Sequence, residues 1–339
     1  MFPFGISVII CTFNGGNRLQ LTLEALNMQS IEPGTPCEII VVNNASTDNT
    51  VQLVEDYWGK AKSKIPLTII SEPNPGKANA LLRGYNHAKY ELMLLCDDDN
   101  WLQPDYLKTV FEIYREHPEI GLLGGYGKAI FDPGEEPEWF TKWGNCYACG
   151  KHHTRNGFLS KSDLSIWGAG SVLRKTMWVF LRQKGFSFYN STAPGKALSE
   201  DAELSVAITF TGHQLYFDER LWFRHDLRGG RISWENLIQQ QSVNGKTNAI
   251  LYMYQIAYDL KKPTKQLVTI RYIGKILRLS FNLLKSFLRP FNKPRWIFFF
   301  HLIKELLTYR QKYIQNALKS SQWVEGIKNA QPLYRTIVK

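Results

Sequence analysis

The sequence contains no apolar run long enough to cross a bilayer. The longest, Trp296 to Phe300 and on through Ile303, is interrupted by His301 and ends at Lys304. This is well short of the ~20 residues that a membrane-spanning helix needs. The first residues also lack the basic segment and the small-residue cleavage site of a signal peptide. The sequence therefore predicts neither a transmembrane helix nor a secretory leader.

Cysteine is scarce, and internal repeats are not visible. The 339 residues include five cysteines, an odd number, which argues against a disulfide framework and favours a reducing, cytoplasmic setting. The lack of a repeat period argues against a solenoid. With 44% hydrophobic and 21% charged residues, the composition is typical of a globular protein. The length predicts about two domains, or one large α/β domain with an appendage.

Acidic residues are nearly absent from the last quarter of the chain. Lys261 to Lys339 contains 17 Lys and Arg against only Glu305 and Glu325, which is a net charge of +15 in a chain whose total is +11. The other 260 residues therefore carry −4. This asymmetry predicts an anionic partner for the C-terminal part alone.

Apolar segments alternate with helical segments in the first 120 residues. The predicted strands end near Cys11, Val42, Ile70 and Cys96, and a helix follows each one. Continuously apolar strands separated by helices are typical of a parallel sheet covered on both faces, which binds ligands beyond the carboxyl ends of its strands. The polar residues at those ends are either ligand-binding or turn-forming.

Three consecutive aspartates, Asp97 to Asp99, follow the fourth apolar strand. Adjacent carboxylates repel one another, and a cation or shifted pKa values must relieve that repulsion near a buried sheet end. Mg²⁺ or Mn²⁺, which prefers carboxylate oxygen, would do so. The alternative is a group of acids that cap the following helix.

The middle of the chain is less regular. Residues 131–199 are rich in loops and aromatic side chains, Gln214 to Phe223 is predicted as an edge strand, and the chain beyond Trp234 is predicted as mostly helical. Cys146 and Cys149, followed by two adjacent histidines, have the spacing of half a zinc site. No second matching pair accompanies them, so the spacing does not establish a metal.

Five sequence blocks together carry a resemblance to a known family. They are residues 7–14 (SVIICTFN), 41–50 (VVNNASTDNT), 76–80 (GKANA), the three aspartates, and 199–204 (SEDAEL). In order and spacing these blocks resemble the family 2 glycosyltransferases of the GT-A fold. The resemblance implies a Rossmann-like, mostly parallel α/β sheet with helices on both faces.

The same resemblance implies a domain organisation. A catalytic domain is expected over residues 1–240, with a donor half at about 1–130 and an acceptor half at about 131–240. Residues 241–339 lie outside the resemblance and are expected to form a basic, mostly helical tail.

The resemblance also implies a site for a nucleoside-diphosphate sugar. Its expected donor-binding residues are Thr12, Asn14, Asn43, Lys77, Asn79, Asp97, Asp98, Arg228 and Arg231. Asn43 stands where the family usually has an aspartate. An amide can both donate and accept hydrogen bonds, so a UDP-sugar is favoured but the base stays open. Lys77 could equally be a solvated lysine at a helix start.

The chemistry implied by the resemblance is inverting and metal-dependent. Asp99 and His225 are expected to hold Mg²⁺ or Mn²⁺, although a lone histidine is more often structural. Asp201, beside Glu200, is expected to deprotonate the acceptor hydroxyl, and the alternative is an acid that caps a helix. The expected acceptor-side residues are Trp167 and Gly168.

The tail has an amphipathic pattern of its own. The cations of one helical face are Arg271, Lys275, Arg278, Lys285 and Arg289, and the other faces are apolar. This pattern is typical of a helix lying on an anionic membrane. A helical pair packed on the catalytic domain and a dimer interface are alternatives. Nucleic acid is not predicted as a partner, because it does not require so many exposed Leu and Phe residues.

The sequence thus predicts a transferase that adds a sugar to a glycan or lipid-linked acceptor during assembly of a bacterial surface polysaccharide or glycolipid. The expected location is cytoplasmic and peripheral, on the inner face of the plasma membrane. One alternative is a nucleotidyltransferase, which typically needs an early Gly-rich phosphate loop that Gly15 and Gly16 alone do not provide. The other is a catalytically inactive membrane-associated scaffold.

Overall fold

The structure, a computed structural model, describes residues 2–150, 155–160, 165–188, 200–260, 263–288 and 292–338. The described residues form two compact units. The first contains residues 2–150, 155–160, 165–180 and 213–230, and the second contains residues 181–188, 200–212, 231–260, 263–288 and 292–338. The functional boundaries near residues 130 and 240 stay predictions, because compactness does not define which residues meet a substrate.

The first unit begins with the expected alternation of strands and helices. The strands are β1 (Ile6–Thr12), β2 (Cys37–Asn43), β3 (Leu67–Ser71) and β4 (Leu92–Asp97), and the helices between them are α1 (Gly16–Asn27), α2 (Thr50–Ala61) and α3 (Lys77–His87). The strands pair in parallel in the order β3-β2-β1-β4. Nearly every residue of β1, β2 and β4 is buried, which explains why these strands are continuously apolar and do not alternate. The predicted α/β architecture is confirmed.

Beyond β4 the sheet is mixed. The remaining elements of the first unit are β5 (Asn100–Leu102), α4 (Tyr106–Glu116), β6 (Ile120–Ile130), α5 (Phe140–Trp143), a 3₁₀ turn (Gly144–Tyr147), β7 (Gly157–Phe158), β8 (Val172–Arg174) and β9 (Gln214–Asp226), with α6 (Lys175–Gln183) leading into the second unit. The sheet continues as β4-β8-β6-β9-β5, with β7 paired to β9. β6 and β9 are parallel, whereas β5, β7 and β8 pair antiparallel with their neighbours.

The prediction of an edge strand at Gln214 to Phe223 is wrong. β9 has 13 residues and lies between β6 and β5. Its polar segment, residues 218–220, lies opposite a register shift between Gly124 and Tyr126 of β6. The polar residues therefore mark a bulge inside the sheet, where the local ladder is interrupted, and not an exposed edge.

The second unit is helical. Its complete helices are α7 (Glu200–Phe210), α8 (Trp234–Asp259), α9 (Lys265–Phe287), α10 (Lys293–Thr308) and α11 (Arg310–Val338). Side chains cap two of them, since Ser233 Oγ accepts from Asn236 N at 3.0 Å and Thr264 Oγ1 accepts from Leu267 N at 3.2 Å. In the part of the chain that the structure describes, no helix is both long and apolar enough to cross a membrane. The mostly helical tail is confirmed.

One glycine sets how closely α8 and α10 approach. A Cβ on Gly245 would overlap the carbonyl oxygen of Phe298, which is a backbone atom of α10. A backbone carbonyl cannot turn aside as a flexible side chain can, so a larger residue forces the two helices apart. A Cβ on Gly274, inside α9, would instead meet none of the described residues within 4 Å.

We expect these two helix glycines to respond oppositely to alanine. Gly245→Ala overpacks the α8–α10 contact and lowers the free energy of unfolding by about 1–3 kcal/mol. Gly274→Ala removes only the flexibility of glycine and raises it by about 0.5–1 kcal/mol. Urea titration of the full chain, followed by circular dichroism, measures both. Similar effects of the two substitutions would contradict the close approach of α8 and α10.

Candidate active site

The carboxyl ends of three parallel strands lie side by side. Thr12 of β1 is in register with Asn43 of β2, and Cys11 is in register with Asp97 of β4. The polar residues expected at this edge are therefore adjacent, as the sequence predicts.

Two of the loops at this edge hold each other. Asn14, in the left-handed backbone region with φ of 49°, accepts from Thr47 N at 2.8 Å through Oδ1, and its own N–H donates to Ser46 Oγ at 3.0 Å. Asn43 Oδ1 accepts from Ser46 N at 3.2 Å. Asparagine tolerates the left-handed region better than most residues. Asn14 therefore joins the β1–α1 loop to the β2–α2 loop.

Asn44, which the sequence analysis did not single out, holds a third loop. It is buried; its Nδ2 donates to Asn74 O at 2.7 Å and to Glu72 O at 3.1 Å, and its Oδ1 accepts from Gly76 N at 2.8 Å. Gly76 has φ of 129°, which side chains rarely allow. Asn79 Nδ2 donates to the carbonyl of Pro75 at 3.2 Å, so its amide is engaged within the same loop. The sequence signal for this role was the position of Asn44 directly after β2, beside Asn43.

The three aspartates point to three different cations. Asp97 Oδ1 accepts from Lys77 Nζ of α3 at 2.9 Å, and both side chains are partly exposed. This contact brings together two of the predicted donor-binding residues, and it makes Lys77 more than a solvated lysine at a helix start.

Asp98 is mostly buried and has two donors. Its Oδ2 accepts from Thr12 Oγ1 at 2.7 Å and from Arg18 Nη2 at 3.0 Å. Burial raises the pKa of Asp98, although the hydrogen bonds from Arg18 and Thr12 act in the opposite direction. A Cβ on Gly15 would overlap Thr12 Oγ1, so this packing requires glycine there. The sequence analysis missed Arg18. Its position in the first turn of α1, directly after β1, places it at the carboxyl-end edge of the sheet.

Asp99 is 5% exposed and faces His225 at the end of β9. Asp99 Oδ1 and His225 Nε2 are 3.5 Å apart, and the backbone N–H of Asp226 donates to Asp99 O at 3.0 Å. His225 Nδ1 donates to the carbonyl of Tyr147 at 2.8 Å and lies 3.8 Å from Cys149 Sγ. Burial lowers the pKa of His225, but the hydrogen bonds with Asp99 and Cys149 and the negative charge of Asp99 outweigh it and raise the pKa to about 10.

Each of the three carboxylates therefore has a cationic partner from the chain itself. The partners are Lys77 from α3, Arg18 from α1 and His225 from β9. The sequence left a cation or shifted pKa values as ways to relieve the repulsion between these carboxylates. The protein's own side chains supply cations here, and a metal ion at this strand end stays a prediction.

The donor set still fits a divalent cation at Asp99. A carbonyl oxygen can only accept, so the proton of the neutral imidazole lies on Nδ1, toward Tyr147. The lone pair of Nε2 then faces the negative Asp99 Oδ1, and the two repel each other. Either a proton on Nε2 or a metal cation bound between the two atoms removes this repulsion. Among the described residues, no three His, Cys, Asp or Glu side chains form a metal-binding group. Two protein ligands suffice for Mg²⁺ that keeps waters and substrate phosphates.

Arg228 is engaged by a neighbouring acid. Its Nε and Nη2 donate to the two carboxylate oxygens of Asp226 at 2.7 and 2.9 Å, and its guanidinium lies 5.3 Å from the centre of the Trp101 ring. The hydrogen bonds from Arg228 lower the pKa of Asp226. Arg228 thus lies beside the Asp99–His225 pair, since its partner Asp226 donates to Asp99.

The Trp167–Gly168 segment is tied to β4. Ser171 donates through its N–H and Oγ to Gly168 O at 3.0 and 2.8 Å, and Gly170 N donates to Leu95 O at 2.9 Å. Tyr106 OH donates to Gly170 O at 2.7 Å. Trp167 and Gly168 are half-buried at the edge of this segment, and their acceptor-side role stays a prediction.

The predicted base belongs to the second unit. Glu200 and Asp201 begin α7, where Asp201 Oδ1 accepts from Ala202 N at 2.7 Å and Ser205 Oγ donates to Asp201 O at 2.7 Å. Glu200 is buried, whereas Arg231, also in the second unit, is exposed. The catalytic role of the two acids and the donor-binding role of Arg231 stay predictions.

The two cysteines of the Cys146–Cys149 motif have different contacts, and a metal there stays open. Cys146 Sγ donates to Asn145 Oδ1 at 3.6 Å, whereas Cys149 Sγ lies beside His225. His152 and His153 of the same motif lie outside the described residues.

Removal of the Arg18 guanidinium tests its pairing with Asp98. Arg18→Met keeps most of the apolar stem of the side chain but removes its positive charge. The buried Asp98 carboxylate then keeps only its hydrogen bond from Thr12, and we expect the free energy of unfolding to fall by about 1–3 kcal/mol. Arg115→Met is the control, because Arg115 and Glu32 are 4.0 Å apart and both exposed, and its effect should stay within about 0.5 kcal/mol. Urea titration measures both, and equal losses would contradict the role of Arg18. Adding Asp98→Asn to Arg18→Met should recover part of the loss.

Comparison with known proteins places this site in a family. Residues 7–176, half of the chain, match the model of Glycosyl transferase family 2. A segment of 122 residues is 31% identical to the poly-beta-1,6-N-acetyl-D-glucosamine synthase of Staphylococcus epidermidis, covering 36% of this chain and 28% of that protein. A segment of 118 residues is 33% identical to the poly(ribitol-phosphate) beta-N-acetylglucosaminyltransferase TarS of Staphylococcus aureus, covering 34% and 20%. The matched segments thus span less than a third of either relative.

A solved structure shares the fold over nearly the whole chain. The crystal structure of S. aureus TarS 1-349 in complex with UDP-GlcNAc matches with a TM-score of 0.55 at 16% identity, over 98% of this chain and 92% of that one. The predicted α/β fold and the family resemblance are both confirmed. The strand-end residues described above lie within the matched segment, apart from those of β9, and the chain belongs to glycosyl transferase family 2.

Proposed function

We propose that the chain is a glycosyltransferase that moves a sugar from a nucleoside-diphosphate donor to a hydroxyl of a glycan acceptor. The observation that carries this proposal is the cluster of Thr12, Asn43, Asp97 and Asp99 at one sheet edge within the segment matched by the family model. Ligands of open parallel sheets bind at this edge. UDP-GlcNAc is the donor to test first, because a structural neighbour was solved with it.

Asn43 is the proposed contact to the base. Its Oδ1 accepts from Ser46 N, which orients the amide nitrogen as the donor toward a ligand. Carbonyl oxygens of uracil are suitable acceptors for such a donor. The Asp97 carboxylate, held by Lys77, is the proposed acceptor for ribose hydroxyls.

Asp99 and His225 are the proposed ligands of Mg²⁺ or Mn²⁺. Such a cation supplies Lewis-acid stabilisation to the negative charge of a departing nucleoside diphosphate. Tyr147 O orients the His225 ring through its hydrogen bond to Nδ1, so Nε2 is directed toward Asp99.

Asp201 is the proposed base of an inverting reaction. Its Oδ1 is oriented by Ala202 N, and the carboxylate takes the proton of the acceptor hydroxyl as that oxygen bonds to the anomeric carbon. The bond from the anomeric carbon to the diphosphate breaks at the same time, so the new bond forms on the opposite face. Glu200 is proposed to support Asp201.

The proposed acceptor is a lipid-linked saccharide in the assembly of a bacterial surface polysaccharide or glycolipid, on the inner face of the plasma membrane. The names of the relatives, which describe polymers that carry or consist of N-acetylglucosamine, support a polysaccharide setting. The basic C-terminal charge supports a membrane-bound acceptor.

Asp99→Asn tests the donor site. It removes the negative charge of Asp99 but keeps a side-chain oxygen that can accept a hydrogen bond from His225. We expect UDP-GlcNAc to bind the wild-type chain in a Mn²⁺-dependent manner, and the variant to bind at least tenfold more weakly because the amide lacks the charge that holds the cation. Asp105→Asn, an exposed aspartate six residues away, is the matched control. Isothermal titration calorimetry measures the affinities. Equal binding by all three proteins, or binding that ignores Mn²⁺, would contradict the metal site.

Asp201→Asn tests the base. The amide oxygen can still accept from Ala202 N, so α7 should begin as before, but the side chain can no longer take a proton. We expect turnover to fall at least about hundredfold while donor affinity changes little. Glu235→Gln, an acid in the first turn of α8, is the control and should retain activity. Full activity of Asp201→Asn would exclude it as the base, and no turnover by the wild-type chain with any nucleotide sugar would favour a scaffold.

A further inference from the structure

α9 carries a continuous stripe of exposed apolar side chains. Its members are exposed by 45–67% within the helix and by 84% at its C-cap. They recur every three or four residues, as the same face of an α-helix requires. We call this set the apolar stripe: Ile270, Ile273, Leu277, Phe281, Leu284 and Leu288. Over 18 residues it extends about 27 Å along the helix.

The opposite face of α9 fixes the direction of the apolar stripe. Val268, Tyr272, Leu279 and Ser286 are buried there. Tyr272 OH donates to the carbonyl of Leu306 in α10 at 2.6 Å. These contacts are satisfied within the second unit, so α9 cannot bury the apolar stripe by rotating without losing them.

A row of cations runs along one side of the apolar stripe. Arg271, Arg278 and Lys285 are exposed and seven residues apart, which separates successive charges by about 10.5 Å along one side of the helix. The Lys285 ammonium lies 4.5 Å from the centre of the Phe281 ring, so its stem runs beside the stripe while its charge reaches outward. Of the other two cations of the predicted face, Lys275 is directed away, since it donates to Gln255 Oε1 of α8 at 2.6 Å, and Arg289 lies outside the described residues.

Charge identifies the occupant of this surface. α9 contains no Asp or Glu, so a second copy of α9 would cover the apolar stripe but bring no carboxylate to the cation row. An anionic bilayer provides acyl chains for the stripe and phosphate oxygens for the cations together. The +15 charge of residues 261–339 acts in the same direction over a longer range.

We propose that α9 lies in the headgroup region of an anionic membrane, with the apolar stripe toward the acyl chains and the row of Arg271, Arg278 and Lys285 at the lipid phosphates. The helix lies along the surface and does not cross it, which agrees with the absence of a membrane-spanning helix among the described residues. α9 belongs to the second unit, whereas the strand-end residues of the proposed donor site belong to the first, and membrane binding by α9 does not depend on glycosyl transfer.

Vesicle co-sedimentation of the full chain tests the proposal. The vesicles are pure phosphatidylcholine, or phosphatidylcholine mixed with phosphatidylglycerol, and contain no saccharide. We expect wild type to prefer the anionic vesicles. Leu277→Ser should lower the partition coefficient about tenfold, whereas Met28→Ser, which removes a side chain of matched exposure (65% against 67%) from the first unit, should not change it.

The cation row is tested separately. Arg278→Gln with Lys285→Gln should lower binding to anionic vesicles about 30-fold and leave binding to phosphatidylcholine unchanged. Lys60→Gln with Lys64→Gln removes two exposed charges from the first unit and should have little effect. Circular dichroism confirms that each variant is folded, which is expected because the altered side chains are exposed.

Three results would overturn the proposal. Wild type could fail to sediment with anionic vesicles, or Leu277→Ser and Met28→Ser could sediment equally. Light scattering could instead show a wild-type dimer that Leu277→Ser dissociates while vesicle binding is unchanged, and the apolar stripe would then be an interface between copies. Because no sugar is present, each of these results is independent of the proposed transferase activity.

Discussion

The separate neutralisation of three adjacent carboxylates is the constraint on which the sheet edge depends. Asp97, Asp98 and Asp99 follow a buried strand, where unpaired charges would be costly. The chain directs them to cations on α3, α1 and β9. Each pair also fixes the start of a helix or the end of a strand relative to β4. The electrostatic requirement of one short segment thereby organises the surrounding elements.

The loops of that edge are held mainly by amide side chains. Asn14 and Asn44 bond backbone groups of neighbouring loops, Asn44 with three such bonds, and Asn43 bonds the backbone of its own loop. Bonds of this kind set the positions of backbone N–H groups before any ligand arrives, which reduces the ordering that binding would require. The asparagines have a structural role that is compatible with the proposed donor contacts, because an amide has more than one donor and acceptor.

The two units differ in charge as well as in structure. The carboxylates and their partners belong to the first unit, whereas the basic, carboxylate-poor helices belong to the second. Within α9 the buried face is small and satisfied, and the exposed face is apolar with cations on one side. An exposed apolar stripe of this length is unusual for a chain that stays in water, and the lack of acids in α9 favours a lipid surface over a second copy.

Local sequence determined the alternation of strands and helices, the polar strand ends, the family motifs and the helical tail, because each follows from periodicity or from residues close in the chain. Only the tertiary structure decided which partner each polar group takes. Arg18 and Asp98 are 80 residues apart, and nothing local distinguishes Arg18 from a solvated helix residue. The polar residues of β9 suggest an edge strand in the sequence, because the glycine-containing segment of β6 that lies opposite its bulge is far away along the chain. The pairing of Lys275 with α8 likewise depends on helix packing, since periodicity places a side chain on a face but does not say what that face meets.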